Sequence, residues 1–482
     1  MSPDDLIVPF TAGSVFDKRS LRDISDEIRS VYLQDKRPWV IGYSGGKDST
    51  CTLQLVWNAI AELPASQRTK SIHVISSDTL VETPVIVGLI DRSLERIRTV
   101  AKERHLPFTS TKVQPAATET FWVNLIGRGY PAPSRAFRWC TDRMKIQPAD
   151  RFILDQVSKS GEVIVVLGVR KQESMTRAQV MSLAHIKGSL LSRHRTLSNT
   201  FVYTPIADFS TDDVWSYLLQ NQSPWGNNNR DLLALYRSAN AGECPLVVDE
   251  TTPSCGNSRF GCWVCTVVSK DHAMEALIDG GETWMQPLLD FRNLLASTQN
   301  PERKVEFREA KRRNGQMRMK SNGSPTFSRG PYRFEFRKEL LERLLQAQKA
   351  VQQNGPDGGM ELIQHRELEE IRRIWKHECG DWDDSVPRIF RKVFGADGTW
   401  ISDDLGSFST EDAKLLSDVC ERHGVPPLLV VRLLDVEREV QGMARRASVF
   451  QNLAQVLREE WRDEKTVLRE LNSRSRAAQG EP

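Results

Sequence analysis

The stretch Trp39-Val-Ile-Gly-Tyr-Ser-Gly-Gly-Lys-Asp-Ser-Thr50 decides the fold of this chain. Apolar, β-branched Val40 and Ile41 predict a strand, and the amphipathic segment Thr52 to Ile60 predicts a helix. The paired glycines between them let the backbone turn and let its N–H groups approach an anion closely. Because the start of a helix is the positive end of its dipole, the strand, loop and helix together predict a phosphate-binding site.

The side chains of this loop suit a nucleotide. Lys47 can neutralise phosphate oxygens, and the spacing differs from the Walker pattern, whose glycines lie further from its Gly-Lys-Ser/Thr end. The six residues Ser44-Gly-Gly-Lys-Asp-Ser49 resemble the pyrophosphate loop (PP-loop) of the adenine-nucleotide α-hydrolases. The resemblance implies that the chain cleaves ATP between its α and β phosphates, or binds an adenylyl sulfate, with six ligand residues: Ser44, Gly45, Gly46, Lys47, Asp48 and Ser49.

Beyond the loop, apolar strand patterns at 71–78, 108–113 and 163–168 alternate with helical patterns. This alternation predicts an α/β fold with an open, mostly parallel sheet and helices on both faces. A cysteine-rich segment and a mostly α-helical C-terminal region follow. The predicted parts are an N-terminal helical segment at 1–37, a PP-loop ATP-binding domain at 38–240, a cysteine-rich segment at 241–275, a basic region at 276–353 and a helical region at 354–482.

Within the C-terminal region, the sequence predicts a loop-like stretch at 380–408 and helices at 410–423, 427–441 and about 443–473. The length of 482 residues agrees with two or three domains, and the net charge of +3 does not by itself indicate a nucleic-acid partner. No secretory signal or membrane-spanning run is recognisable, so we expect a cytoplasmic protein with no membrane partner. The eight cysteines are then expected to include ligands or reactive thiols rather than a disulfide framework.

Polar residues follow the predicted strands at their carboxyl ends, where ligands bind in such sheets. One group, Asp78, Thr79 and Glu82, follows the second strand, and Gly168 and Arg170 follow a later one. Arg177 lies a few residues further on, and planar guanidinium groups suit a phosphate, sulfate or adenylate. We therefore expect these residues to converge with the PP-loop on one nucleotide.

The cysteines suggest a metal or redox site. Cys140 lies among basic residues, which favour a thiolate that acts as a nucleophile or a ligand. Cys262 and Cys265 form a Cys-x-x-Cys pair, which alone is compatible with a redox dithiol, zinc or an iron–sulfur cluster. An iron–sulfur cluster needs about four thiolates and tolerates uneven spacing. The candidate ligands are Cys140, Cys255, Cys262 and Cys265, with Cys244 as the alternate, whereas Cys51, Cys379 and Cys420 are expected to be buried structural thiols.

Several motifs together resemble known families. Asp-Thr-x-x-Glu at 78–82, Arg-Trp-Cys-Thr at 138–141 and Gly-x-Arg-x-x-Glu-Ser at 168–174 are similar, in order, to the phosphoadenylyl-sulfate reductase family. The segment Gly256-Asn-Ser-Arg-Phe-Gly-Cys-Trp-Val-Cys-Thr266 resembles the DndC family of DNA phosphorothioation proteins. The DndC resemblance implies an ATP pyrophosphatase with a [4Fe–4S] cluster, which replaces a non-bridging oxygen of the DNA backbone with sulfur. It also implies partners, namely DNA, a cysteine desulfurase and other modification proteins.

On this hypothesis, Lys47 stabilises the departing pyrophosphate and Asp48 holds Mg²⁺. Arg170 and Arg177 clamp the adenylate or the substrate phosphate, and the cluster or Cys140 delivers the sulfur. Two alternatives remain open. One is a phosphoadenylyl-sulfate reductase-like enzyme that acts on a small molecule with Cys140 as its nucleophile, and the other is a non-catalytic scaffold that binds ATP and a cluster.

The basic region at 276–353 has a dense part, residues 303–338, with twelve Lys and Arg but three Glu. Basic residues attract phosphates, and interleaved aromatic rings can stack on bases. DNA contact is therefore one prediction for this region. The alternative is a solvated basic surface over aromatic residues that belong to the core. The aromatic residues in question are Phe307, Phe327, Tyr332, Phe334 and Phe336.

Overall fold

The chain folds into two compact units. The computed structural model describes residues 13–173, 186–239, 261–320, 326–401, 410–439 and 448–479. Unit 1 comprises Met1–Ala116 and Arg138–Thr283, and unit 2 comprises Ala117–Phe137 and Trp284–Pro482. The five-part division predicted from the sequence stays a prediction. Across the described ranges, no helix is both long and apolar enough to cross a membrane.

A six-stranded sheet organises unit 1. Its strand order is β3-β2-β1-β4-β6-β5, and only the pairing of β5 with β6 is antiparallel. The order in which strands are added to the sheet reverses at β1, which pairs in parallel with both β2 and β4. The predicted fold class is confirmed. The strands are β1 Trp39–Gly42, β2 Ile72–Ser77, β3 Phe108–Val113, β4 Val163–Val166, β5 Ser192–Arg193 and β6 Thr200–Tyr203.

Helices cover both faces of this sheet. On one face, Trp39 and Ile41 of β1 share a buried apolar cluster with Ile28 and Trp57, and on the other face Val40 packs with Ile153. This alternation is the two-residue period of a strand whose two faces are both buried. The helices of unit 1 are α1 Leu21–Leu33, α2 Lys47–Ala61, α3 Pro84–Glu103, α4 Gln147–Ser160, α5 Thr211–Gln220, α6 Asn229–Ala239 and α7 His272–Asp279.

The chain enters α4 through an irregular turn. A short helical piece, Trp139–Thr141, runs into a π-helical turn, Asp142–Ile146, that leads directly into α4. Pro148 lies in the first turn of α4. Proline has no N–H for the regular helical ladder, which accounts for a break here. The turn therefore places Cys140 and Lys145 at the start of a helix.

Unit 2 is largely helical. Residues 117–137 belong to it because buried side chains of its helices bond to their backbone: Trp375 Nε1 donates to the carbonyl of Ile126 at 3.0 Å, and Arg337 donates to that of Gly127 at 2.7 Å. The helices are α8 Gln286–Ser297, α9 Lys304–Phe307, α10 Phe334–Asn354, α11 His365–Cys379, α12 Ser385–Phe394, α13 Thr410–Arg422, α14 Pro427–Glu439, α15 Val449–Leu457 and α16 Glu464–Gln479.

Two sequence-based predictions for unit 2 are wrong. The stretch 380–408 was expected to be loop-like but contains α12, where Asp381 accepts hydrogen bonds from the backbone and hydroxyl of Ser385. The single helix predicted at about 443–473 is interrupted between α15 and α16. Asp463 accepts a hydrogen bond from the backbone of Thr466 at 3.0 Å, and this cap starts a new helix.

Candidate functional site

The PP-loop lies between β1 and α2, where the strand order reverses. Gly45 has a φ of +72°, which a side chain would disfavour, and Gly46 precedes the first residue of α2 without a side-chain cap. Ser44 and Ser49 hold the loop closed, since their hydroxyl oxygens lie 3.1 Å apart. The N-terminus of this 15-residue helix, whose N-cap residue Gly46 makes no side-chain cap hydrogen bond, forms a suitable anion site.

Two cations are fixed beside this loop by one carboxylate. Lys47 Nζ lies 2.8 Å from Asp48 Oδ2, and Arg170 Nε lies 2.6 Å from Asp48 Oδ1. Arg170 is 4% exposed, and it follows β4 through Gly168, where an added Cβ would lie 2.7 Å from the backbone oxygen of Asp48. The sequence prediction that β1 and β4 bring their residues together at the carboxyl edge therefore agrees with this geometry.

Magnesium at Asp48 would share the carboxylate with two cations. The two carboxylate oxygens are in ion pairs with Lys47 and Arg170. Each oxygen keeps a second lone pair, so a bound Mg²⁺ would compete with these cations for the carboxylate. In this structure, Asp48 positions Lys47 and Arg170.

The turn after β2 leads to the cysteine pair. Asp78 accepts hydrogen bonds from Gln114 at 2.9 Å and from the backbone of Leu80 at 3.0 Å. Leu80 has a φ of +63°, a strained conformation for a leucine. Thr79, which is fully buried, contacts Glu82 Oε1 at 2.9 Å and Cys262 Sγ at 3.3 Å.

The cysteine pair is attached to this turn through the backbone. Glu82 and Cys262 form an antiparallel bridge, and the backbone of Trp263 donates to the carbonyl of Val81 at 3.0 Å. The backbone of Cys265 donates to the carbonyl of Cys262 at 3.0 Å, which makes the Cys-x-x-Cys segment a tight turn. These contacts place Thr79 and Glu82 against a thiol, a role that the sequence did not predict for them.

Charge couples three cysteines to one lysine. The Cys262 thiolate raises the pKa of Lys145, and Glu82, Cys140 and Cys265 act in the same direction. Burial, with Glu82 nearby, raises the pKa of Cys262 to about 12. Burial and the Cys265 thiolate raise the pKa of Cys140. The thiols of this group, which we call the thiol site (Cys140, Cys262 and Cys265), therefore interact although Cys140 is distant in sequence.

The thiol site fits a soft metal by its donor chemistry. Three cysteines that share one environment are the donors that iron–sulfur clusters use. Within the described ranges, however, no three His, Cys, Asp or Glu side chains lie in a formed metal-binding arrangement. Metal binding would have to displace the thiol protons that burial favours. The other predicted ligands, Cys244 and Cys255, and the predicted clamp Arg177 lie outside the described residues.

Two residues near the site escaped sequence analysis. The hydroxyl of Tyr236, on α6, accepts a hydrogen bond from the backbone of Lys47 at 3.4 Å. Tyr236 lies far along the chain from the loop, and no local pattern indicates the contact. Lys145 was visible only as one of several basic residues near Cys140. Of the expected structural thiols, Cys51 and Cys420 are buried and Cys379 is partly exposed.

The aromatic residues of the basic region are mostly core residues. Phe327 and Tyr332 are fully buried, and Phe336 is 7% exposed. Tyr332 is fixed by its hydroxyl, which lies 2.6 Å from that of Thr298. The expectation that the rings of Phe327, Tyr332 and Phe336 could stack on bases is therefore wrong, because stacking needs an accessible ring face.

Comparisons with known proteins agree with this geometry. Residues 38–268 match the phosphoadenosine phosphosulfate reductase domain family, and residues 411–457 match a small protein found in certain Dnd DNA modification systems. An uncharacterized protein of Methanocaldococcus jannaschii is 29% identical over 243 residues, which are 49% of this chain and 38% of that protein. The chain therefore spans well under half of the relative's length.

Two solved structures show distant similarity to parts of this chain. A phosphoadenylyl-sulfate reductase from Candida auris, in a phosphate complex, is 16% identical, with 48% of this chain and 94% of that chain covered at a TM-score of 0.29. A U34-tRNA thiolase from Methanococcus maripaludis with its [4Fe–4S] cluster is 13% identical, with 59% and 80% covered at a TM-score of 0.28. Neither likeness, with a TM-score this low, bears on the activity.

The two family matches, together with the sheet order and the loop after β1, indicate the family relationships of this chain. This chain carries a phosphoadenosine phosphosulfate reductase-like domain of the PP-loop superfamily, in residues 38–268, together with a segment, residues 411–457, of a small-protein family from Dnd DNA modification systems.

Proposed function

We propose that this chain is an ATP pyrophosphatase and sulfurtransferase of DNA phosphorothioation, of the DndC kind. It activates a phosphate of the DNA backbone by adenylation and assists the insertion of sulfur. One observation carries the proposal: the turn after β2 joins the sheet edge that holds the PP-loop to the thiol site, with Thr79 Oγ1 lying 3.3 Å from Cys262 Sγ. The Dnd-system segment at 411–457 supports DNA as the substrate.

The first step transfers adenylate. ATP binds with its pyrophosphate on Ser44–Ser49, and a non-bridging oxygen of the DNA phosphate attacks the α-phosphorus. The new P–O bond forms as the bond to the β-phosphate oxygen breaks, and pyrophosphate leaves with that electron pair. Lys47 and the loop amides stabilise the developing charge, and Asp48 holds Lys47 and Arg170 in place beforehand. Arg170 and Arg177 clamp the adenylate.

The second step places sulfur on the activated phosphorus. Sulfur at the sulfide level attacks the DNA phosphorus, and AMP departs. A cysteine desulfurase supplies the sulfur, and when it arrives as a persulfide, a thiol or an electron carrier provides the two electrons that release it. The thiol site with Cys255 or Cys244 would hold a [4Fe–4S] cluster, which would supply iron for the binding of sulfide.

The residues around the thiol site orient groups and supply charge in that step. Thr79 donates a hydrogen bond that orients Glu82, and Lys145 lies 3.7 Å from the same carboxylate. A fixed positive charge at this place favours an anionic sulfur species over a neutral one. Cys140, Cys262 and Cys265 are only partly buried, so a sulfur donor could reach the thiols from solvent.

A second candidate function is favoured by the domain match over 38–268. In it, the Cys140 thiolate attacks the sulfur of an adenylyl sulfate, the nucleotide leaves, and an external thiol reduces the S-sulfonated cysteine to release sulfite. The raised pKa of Cys140 counts against this reading, since little thiolate would be present without a ligand. A scaffold that binds ATP and a cluster without turnover is the remaining alternative.

Product identity separates the three functions. Anaerobically purified protein would be incubated with ATP, cysteine, a cysteine desulfurase and a DNA duplex, and the digested DNA would be analysed by mass spectrometry. A parallel reaction would contain phosphoadenylyl sulfate and a thiol. We expect phosphorothioate dinucleotides with AMP and pyrophosphate in the first reaction and no sulfite in the second. Sulfite without phosphorothioate would support the reductase, and intact ATP would support the scaffold.

A further inference from the structure

The basic region of unit 2 has an organisation that the chemistry of unit 1 does not explain. Three antiparallel backbone bridges join residues within 308–320 and 326–332, and we call these two described stretches the basic arm. The bridges join Arg308 to Tyr332, Lys311 to Met317, and Met319 to Phe327. Such an arm presents alternate side chains on opposite faces, so one strand can contribute both to the core and to the surface.

One face of the basic arm is structural. Met317 and Met319 pack on a buried cluster that includes Phe327 and Val467 of α16. Two of its cations are neutralised on this side. Lys311 Nζ lies 3.2 Å from Glu459, and Arg329 makes two hydrogen bonds to Glu464 at 2.7 and 2.9 Å. These contacts fix the arm to the helical core of unit 2.

A second set of cations has no such neutralisation. Among the residues that the structure describes, no carboxylate lies within 4.0 Å of the charged groups in this set, in contrast to Lys311 and Arg329. Arg308 donates instead to the carbonyls of Gly330 and Arg329, at 2.7 and 2.6 Å. The set comprises Lys304, Arg308, Arg312, Arg318 and Lys320, of which the last three are exposed.

These cations lie close enough to repel one another. After burial, which is the larger cause, Arg329 and Arg312 lower the pKa of Arg308, while Arg308 and Lys320 lower the pKa of Lys304. Like charges held together on a folded surface destabilise it unless an anion is bound. Solvent-exposed guanidinium groups with unused donors are suited to phosphate oxygens.

We propose that Lys304, Arg308, Arg312, Arg318 and Lys320 form a surface that binds the phosphate backbone of duplex DNA. The choice of DNA among polyanions rests on the proposed function. Recognition here is by charge and is independent of base sequence, because phosphate contacts carry no sequence information. Since Phe327 and Tyr332 are buried, this surface has no stacking platform from them, which favours a duplex over a single strand.

The test compares two triple variants of the full chain that each remove three positive charges from unit 2. The first is Arg312→Gln, Arg318→Gln and Lys320→Gln. The matched control is Arg343→Gln, Arg388→Gln and Arg391→Gln, whose arginines are paired with Glu339, Asp383 and Asp397 in the structure. Binding to a fluorescent 20-base-pair duplex would be titrated without ATP over a series of salt concentrations.

We expect the first variant to bind the duplex about tenfold more weakly than wild type at low salt, and the slope of log affinity against log salt to fall by about 3. The control should keep both values, and the affinity for ATP without DNA should be unchanged in both variants. Equal affinity of the two variants would overturn the proposal, as would a wild-type protein that binds no duplex. Polyglutamate would also be tested as a competitor of the labelled duplex. Competition as effective as that by unlabelled duplex would identify the partner of this surface as an acidic protein in place of DNA.

This experiment separates the surface from the reaction. Two results together would support the surface and refute the proposed chemistry. They are a loss of duplex binding in the first variant but not in the control, and a wild-type protein that forms no phosphorothioate. Phosphorothioate formation at the wild-type rate and affinity in the first variant would refute the surface and leave the chemistry intact.

Discussion

The nucleotide loop of unit 1 and the basic arm of unit 2 hold their cations in opposite ways. Lys47 and Arg170 lie 2.8 and 2.6 Å from one carboxylate, that of Asp48, and Arg170 is almost completely buried. Arg312, Arg318 and Lys320 are exposed and have no carboxylate within 4.0 Å among the described residues. The first arrangement suits a charge that must be stabilised at a fixed point, and the second suits a long, mobile polyanion.

The difference teaches that an excess of charge in a sequence does not show what the charge does. Within the basic arm itself, Arg329 is bound to Glu464, whereas Arg318, close in sequence, is exposed. Salt should therefore act differently on the two regions. Exposed charges are screened beyond about 8 Å at physiological ionic strength, and buried pairs much less.

The largest effect is expected in the nucleotide loop, from Lys47→Ala. Pyrophosphate release should fall by about a hundredfold or more, because a preorganised charge at the reacting phosphate is lost. Release would be followed with a coupled pyrophosphatase assay. Lys159→Ala is the matched control, since Lys159 forms an exposed pair with Asp155 on α4. Release that is unchanged in Lys47→Ala would mean that the loop has been assigned the wrong task.

The next effect concerns the thiol site. In protein purified without oxygen, Cys262→Ser should lose most of its iron and acid-labile sulfide, since a serine hydroxyl is a poor ligand for a cluster. Iron and sulfide would be measured colorimetrically together with the visible spectrum. Cys379→Ser, in unit 2, should retain them. Equal iron in both variants would remove Cys262 from the ligand set, and zinc in place of iron would exclude the cluster.

A buried acid in unit 2 provides a third test, since it lacks the compensating cations of Asp48. Burial raises the pKa of Glu367 to about 6 from an ordinary 4.5. The folded state therefore favours the protonated form of Glu367. The contribution of this group to the free energy of unfolding is complete below pH 4.5 and is lost as the pH rises through 6. Between these limits, wild type should lose about 2 kcal/mol relative to Glu367→Gln.

Chemical denaturation of wild type and Glu367→Gln at several pH values would measure this difference. Glutamine keeps the hydrogen bond that Glu367 Oε2 accepts from the backbone of Gln364 at 2.8 Å, so the variant is expected to fold. Two curves that stay parallel from pH 4 to pH 7 would show that the pKa of Glu367 is not raised.

The smallest expected effect is a difference in stability between variants of two arginines of the basic arm. Arg329→Gln should lower the free energy of unfolding by about 1–2 kcal/mol, because the variant leaves the Glu464 carboxylate without its charged partner. Arg318→Gln should change it by less than about 0.5 kcal/mol, as is usual for exposed sites. The effects on DNA binding should have the opposite order, with Arg318→Gln weakening it more than Arg329→Gln does. Equal stability of the two variants would mean that the arm is not fixed by Arg329.

Local patterns allowed the core of unit 1 to be predicted. The apolar stretch and the glycine loop determine β1 and the start of α2 through neighbouring residues alone, and alternation of strand and helix gives the parallel sheet. The two-residue strand Ser192–Arg193 was missed because it is formed by pairing with β6 and not by its own composition. The break at Asp463 was missed because one capping side chain outweighed a continuous helical pattern.

The candidate site was predicted in part. Lys47, Asp48 and Arg170 lie together as their positions at strand ends suggested, since parallel strands end at one edge of the sheet. The contacts of Tyr236 with the loop and of Thr79 with Cys262 join residues far apart in the chain, and no local pattern encodes them. The burial of Phe327 and Tyr332 likewise depends on packing within unit 2.

The most direct test of the central claim, adenylation of the DNA backbone, follows a labelled α-phosphate. Protein would be mixed with a DNA duplex and ATP that carries ³²P at the α or the γ position, with no sulfur donor present. The account predicts DNA labelled from α-labelled ATP and not from γ-labelled ATP, with release of pyrophosphate. Release of ADP and phosphate, with DNA that stays unlabelled in both reactions, would contradict it.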